Sequence, residues 1–395
     1  MKVKFQDPGF SFQLLRVLGG TSSRQADVGE ALATENRIAD GDFESWTREW
    51  THIAGRLEGA ADACLAKGHR VSASDTYFRA ANYYRAAEFY LHGNPHDPRI
   101  LELSGKSARC FDLALHNGEM PYERTLVPYE GTTLPGIFYP AGSERARTLV
   151  VHTGFDGTID GLFPWARAAT RRGWHCFTFE GPGQGQVIRK QGLPFRPDWE
   201  KVVGPAVDHL VARPEVDADR LALLGISMGG YLAPRAAAFE HRLKACVANG
   251  GVMSFMGPRL PKGISHDQLV ALVKGDPDRF NAMMNAQADK SAEARWGQEN
   301  GMYTFQAKTP AEFVRKALEY DLTPVASQIR CPTLIVDVES ENSFPGEARK
   351  LFDALTCPKT WLYFTEEEGA GDHCQTGSPS LGQQRMMDWL DETVR

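Results

Sequence analysis

The sequence predicts an α/β architecture, a mostly parallel sheet with helices on both faces, preceded by an all-helical segment. Three observations carry this. Apolar runs of strand length alternate with helical stretches from Thr148 onward. Residues 25–116 show apolar and small residues at three- and four-residue spacing, without strand-like alternation. A serine between small residues, Gly225-Ile226-Ser227-Met228-Gly229, stands between an apolar run and a helix-forming run.

The 395 residues exceed the usual size of one domain. We read residues 1–118 as a helical cap lying over the active site. Residues 119–395 form the sheet-bearing domain, interrupted at 252–331 by a helical insertion too long for a simple connection. In the cap, SASDTYFRAANYYRAAEFYL (72–91) places Tyr77, Ala80, Tyr84 and Leu91 on one helical face. Gly93 is expected to end that helix in the left-handed conformation, with Pro95 and Pro98 preventing its continuation. After Gly118 two strand-like runs separated by Glu130-Gly131 lead into TLVVHTG. Strand and helix then alternate through PWARAATRRG, HCFTFEG, WEKVVGPAVDHLVAR, RLALLGIS, 228–239, KACVANGG, PTLIVDVE and TWLYFTEE.

The formal net charge is -6 at pH 7, and no run of Lys or Arg offers a footprint for nucleic acid or an anionic membrane. Polar residues break the apolar positions of 1–20, so no signal-peptide core is expected there, and no apolar run approaches the ~20 residues of a membrane span. The seven cysteines are scattered without a CxxC pair, which argues against a disulfide framework and a zinc site. Cys374 adjoins a candidate base, where a thiol could react, and is read in preference as a packing neighbour. The expected protein is cytoplasmic, binds a small molecule, needs no metal or organic cofactor, and has a homodimer among its allowed assemblies.

A glycine-flanked serine on a sharp strand-to-helix turn can present its hydroxyl as a nucleophile, with the helix N-terminus and the Met228 N–H available to an oxyanion. A serine hydroxyl needs a base. Of eleven histidines only His373, in EEEGAGDHCQTG, follows the last apolar strand. Three carboxylates compete to orient it. Glu341, four residues before Pro345, is placed first, Asp337 at the strand end second, and Glu339 third. A second oxyanion donor is expected just past TLVVH, at Phe155 or else Asp156. FEGPGQG (179–185) lacks both G-K-[ST] and a helix-opening G-x-G-x-x-G, so it is read as a tight turn and not a nucleotide loop. Tyr77, Tyr84, Phe255 and Asp156 are candidate substrate contacts, with helix core the competing reading for the tyrosines.

GISMGG, FEGPGQGQ, CPTLIVDVESEN and GAGDHCQ together resemble the helical-cap serine hydrolases of the α/β-hydrolase fold, a group that includes a carbon–carbon bond hydrolase, esterases and polyketide-tailoring enzymes. The resemblance implies the α/β-hydrolase fold, a Ser227–Glu341–His373 triad and a substrate, aromatic or polyketide-like, held between cap and sheet edge. Two departures qualify it. Glu341 stands where the family usually has Asp, and NGGVMSFMGPRL (249–260) carries no acid where carbon–carbon cleaving members have a glutamate. Ester or thioester hydrolysis through an acyl-enzyme is therefore favoured over ketone cleavage. Acyl transfer by the same triad, and a non-catalytic binding role, are the alternatives.

Overall fold

The computed structural model describes residues 5–142, 144–259 and 265–395. The first four residues, part of the stretch read against a signal peptide, and a piece of the 252–331 segment lie outside these. The chain divides into two units, one of residues up to Tyr122 with 287–303, the other of 123–286 with 304–395. The segment 287–303, within the stretch read as an insertion, thus clusters with the N-terminal helices.

The first unit opens with α1 (Pro8–Gly19), α2 (Val28–Glu35), α3 (Phe43–Ala66), α4 (Arg70–Glu88) and α5 (Pro98–Asn117). Asp7, Asp27, Asp42 and Asp97 cap α1, α2, α3 and α5 by accepting backbone N–H groups of the first turn. Helix α4 packs between α3 and α5. Its alanines let neighbouring side chains reach its backbone: Trp46 Nε1 donates to Ala86 O at 2.8 Å and Ser107 Oγ to Ala81 O at 2.8 Å. The helix ends at Glu88, earlier than expected, and Gly93 does not adopt the left-handed conformation. A close approach explains the glycine instead, because a Cβ there would lie 2.5 Å from the carboxyl carbon of Glu299.

In the second unit, among the described residues, eight strands form one sheet: β1 (Glu123–Tyr129), β2 (Thr132–Tyr139), β3 (Ala146–His152), β4 (His175–Phe179), β5 (Val216–Ile226), β6 (Leu243–Asn249), β7 (Thr333–Val338) and β8 (Lys359–Phe364). Their order is β1-β2-β4-β3-β5-β6-β7-β8. Strand β2 runs antiparallel to β1 and β4, and the remaining pairs are parallel. The helices are α6 (Phe163–Thr170), α7 (Glu200–Val211), α8 (Gly229–Ala237), α9 (His266–Gly275), α10 (Pro277–Ala288), α11 (Ala292–Thr304), α12 (Pro310–Ala317), α13 (Glu347–Ala354) and α14 (Pro379–Thr393), most of α11 belonging to the first unit.

The central strands are apolar on both faces because helices cover both; Leu149, Val150, Leu223, Leu224, Cys246 and Val247 are fully buried. Parallel register brings the carboxyl ends of neighbouring strands level. His152 pairs with Gly225, Ile226 with Asn249, and Asn249 with Val336. In an open α/β sheet that edge is where chemistry is placed. No helix among the described residues is long and apolar enough to cross a membrane.

Candidate active site

Ser227 follows the last residue of β5 and precedes α8. Its φ of 63° puts a non-glycine residue in the left-handed region, a conformation that persists only when its surroundings enforce it. Two contacts do so. Ser227 N donates to Asn249 O at 2.8 Å, tying the turn to β6, and Gly230 N donates to Ser227 O at 2.7 Å. The turn is sharp enough that a Cβ on Gly225 would lie 2.0 Å from Gly229 O, so glycine is obligatory there.

His373 lies in the loop between β8 and α14. Ser340 N donates to Gly371 O at 2.9 Å, and this pairing lays the glycine-rich loop beside the end of β7. His373 Nε2 is thereby 2.9 Å from Ser227 Oγ, and Nδ1 is 2.6 Å from Glu341 Oε2. The carboxylate can only accept, so Nδ1 carries the proton and Nε2 is left to accept from the serine hydroxyl. The other carboxyl oxygen of Glu341 accepts from Ser343 N at 2.8 Å and Phe344 N at 3.0 Å.

Electrostatics follow this geometry. Burial pushes the Glu341 carboxyl up, but the His373 charge and hydrogen bonds outweigh it and hold the group below its usual value. Burial alone would weaken proton binding at His373. The Cys374 sulfur and the Glu341 carboxylate overcome it, and the imidazole binds its proton more tightly than a free histidine.

The rival carboxylates are engaged elsewhere. Asp337 accepts from Val338 N at 3.0 Å, and its pKa is raised, by burial first and by the nearby Glu341 charge. Glu339 accepts from Glu366 N at 2.7 Å. Cys374 meets the site directly: its sulfur lies 3.4 Å from His373 Nε2 and 3.4 Å from Asn249 O. Its φ of 54°, again left-handed, folds it back toward the imidazole.

The loop after β3 runs against the elbow. A Cβ on Gly154 would lie 2.5 Å from Met228 N, so the backbone just before Phe155 touches the amide at the head of α8. Beneath it, His152 is fully buried, and burial lowers its pKa to about 4, leaving a neutral ring whose Nδ1–H donates to Thr153 O at 2.9 Å. Asp156, the alternative donor position, follows Phe155 on the same loop.

An aromatic wall continues from His373. The Phe344 ring centroid is 5.9 Å from His373 and 5.7 Å from Phe255, which is 5.5 Å from Phe155. Phe255 is fixed by backbone and side-chain bonds. Its N–H donates to Tyr320 O at 3.0 Å, and Ser254 N donates to the buried carboxylate of Glu347 at 2.7 Å. Tyr77 and Tyr84 lie in the core of the helical unit, buried against α3, with the Tyr77 hydroxyl on Asp62 and the Tyr84 hydroxyl on Glu58 at 2.5 Å.

Sequence reasoning did not single out Phe344 or Glu347. Phe344 had a signal, since it directly follows the carboxylate loop. Glu347 had none: its buried carboxylate meets Ser254 across 93 residues of chain.

The arrangement can polarise a hydroxyl, take its proton on an imidazole and balance the resulting charge with a carboxylate. A model of the alpha/beta hydrolase family matches residues 148–386. The chain is 36% identical to a hydrolase of a Fusarium species, over 98% of this chain and 97% of that relative. It is 35% identical to the 20-hydroxy-prefusarin hydrolase of Gibberella moniliformis, over 98% and 97% of the two chains. Among solved structures, 2,6-dihydroxy-pseudo-oxynicotine hydrolase superposes with a TM-score of 0.76 at 22% identity, over 95% of each chain.

Proposed function

The chain belongs to the alpha/beta hydrolase family and is a hydrolase, and from that premise we propose that it is a serine hydrolase acting on a small-molecule ester or thioester. The observation that carries this reading is the unbroken hydrogen-bonded series Ser227 Oγ, His373 and Glu341, set on a left-handed serine. His373 Nε2 takes the hydroxyl proton as Ser227 Oγ attacks the carbonyl carbon. Glu341 stabilises the imidazolium, and the N–H groups of Met228 and Phe155 receive the oxyanion. The leaving alcohol or thiol takes the proton from Nε2. Water, deprotonated by the same nitrogen, then attacks the acyl-enzyme, and the acid is freed as Ser227 Oγ leaves and takes the proton back from Nε2.

The substrate's acyl part packs on the wall of Phe155, Phe255 and Phe344, which favours an apolar or aromatic group. One relative is named a 20-hydroxy-prefusarin hydrolase; for this chain the proposed substrate class is an aromatic or polyketide-like ester or thioester. Carbon–carbon cleavage is less supported. The loop bearing Phe255 does receive a glutamate, Glu347, but its carboxylate is spent on Ser254 N and Lys350 Nζ. The seven cysteines are free thiols, which suits a reducing, cytoplasmic setting.

Ser227→Ala tests the assignment. Wild-type protein should be labelled by a fluorophosphonate and should hydrolyse esters or thioesters in a panel that also holds β-diketones, and the variant should do neither. Retained turnover in the variant would refute the nucleophile. Product formation that depends on an added alcohol or amine would replace hydrolysis with acyl transfer.

A further inference from the structure

The glycine-rich turn after β4 supplies two buried polar side chains that the proposed chemistry leaves unused. Glu180 and Gln184 are each 1% exposed. One carboxyl oxygen of Glu180 accepts from Ile159 N at 2.7 Å and the other from Gln186 N at 2.7 Å. Gln184 Oε1 accepts from Gly181 N at 2.9 Å, which fixes the amide's orientation. Its Nε2 donates to Thr153 O at 2.7 Å and makes a longer contact of 3.4 Å with Gly154 O.

These bonds fall at the two ends of one segment. Gln184 holds its start, Thr153 and Gly154, and Glu180 holds its finish, Ile159. Phe155 lies between them. The Thr153 carbonyl has both lone pairs engaged, one by Gln184 and the other by His152 Nδ1–H at 2.9 Å. Because a trans peptide is planar, turning the Gly154 carbonyl toward Gln184 directs the Phe155 N–H of the same plane the opposite way, away from the turn. Gly185 makes the arrangement possible: a Cβ there would lie 1.9 Å from Glu180 Oε1, inside the carboxylate.

We propose that Gln184 and Glu180 are positioning residues that set the Phe155 N–H for the oxyanion, Gln184 by orienting the peptide plane and Glu180 by closing the segment behind it. This deepens the serine-hydrolase reading and rests on it. The FEGPGQG segment is then part of the reaction machinery at one remove, and Gly185 is the space the clamp needs.

The test compares wild type with the near-isosteric Gln184→Glu, which replaces the donor with an acceptor facing two carbonyl oxygens, and with Gln184→Ala. The probe is a trifluoromethyl ketone, to which Ser227 Oγ adds as His373 takes the proton and the ketone oxygen becomes the oxyanion. Each variant should lose about ten- to hundredfold in kcat, part of the hundred- to thousandfold carried by a whole oxyanion donor. Affinity for the ketone should fall by the same factor, while KM stays within about twofold of wild type, as expected of an interaction made only in the transition state. Glu180→Gln, whose amide must turn a donor toward one of two backbone donors, should move the same quantities in the same direction. Folded variants with wild-type kcat and ketone affinity would overturn the proposal, as would a loss confined to thermal stability or KM. A wild-type enzyme that neither hydrolyses esters nor takes a fluorophosphonate would instead overturn the serine-hydrolase reading, so the two failures are distinguishable.

Discussion

His373 and Cys374 meet through one imidazole nitrogen: the sulfur lies 3.4 Å from Nε2, the atom that is also 2.9 Å from Ser227 Oγ. A bulky adduct on that sulfur has to enter the space the serine hydroxyl and its substrate share. N-ethylmaleimide should therefore block fluorophosphonate labelling of Ser227, and Cys374→Ala should remove that sensitivity while keeping labelling within about fivefold, since a thiol is a weak hydrogen-bonding group. Labelling of the alkylated wild type at full rate would contradict this.

The proposed triad acid can be separated from its rival by matched substitutions. Glu341→Gln keeps the shape but loses the charge opposing the imidazolium, and kcat should fall by about three to four orders of magnitude, as in other triads. Asp337→Asn should stay within about threefold, because its carboxyl caps Val338 N and does not reach His373. Steady-state rates on one ester decide between them.

The pH profile has a defined sign. In its proposed role as base His373 needs Nε2 unprotonated, so the rate should rise as pH rises through its pKa. That pKa is raised, with the Glu341 carboxylate among its causes, and the acid limb of kcat/KM should lie above the ~6.5 of a free histidine. In Glu341→Gln the imidazolium loses its partner, and the limb of the residual activity should move to lower pH. A profile flat from pH 5 to 8, a range that brackets the usual histidine value of about 6.5, would exclude His373 as base.

Glu347→Ala should leave the Ser254 N–H without its acceptor and release the loop that carries Phe255. The expected cost is about 2 kcal/mol, typical of a lost hydrogen bond to a charged group, read as a lower urea midpoint. On the proposed packing of substrate against the Phe255 ring, KM should rise more than kcat falls.

Tyr77→Phe and Tyr84→Phe should leave KM unchanged, since the hydroxyls are spent on Asp62 and Glu58 inside the helical unit. Each should lower stability by about 1 kcal/mol. A KM shift without loss of stability would return these tyrosines to the substrate site.

Much of this protein was legible along the chain. All the strand-length apolar runs noted in the sheet-bearing part form strands; burial on both faces makes the central ones mostly apolar, while β1 and β8 at the sheet edges stay partly exposed. The family resemblance carried by GISMGG and GAGDHCQ agrees with the family model over 148–386. Ser227 could be read because the elbow is a local constraint: a strand that turns at once into a helix places glycines two residues to either side of the serine.

What the linear order could not decide were relations between distant segments. Three carboxylates at 337, 339 and 341 are equivalent as text. Only the pairing of Ser340 with the loop before His373 shows that Glu341 alone meets the imidazole. The same holds for Glu347 under Ser254, and for Gln184 on Thr153 O, 31 residues apart in sequence. The sequence by itself determined which local shapes the chain would take, since propensity, turn chemistry and apolar period act between near neighbours. Tertiary structure decided which polar groups share a hydrogen bond, because that depends on side chains converging to within about 3 Å, a distance set by packing of the whole sheet.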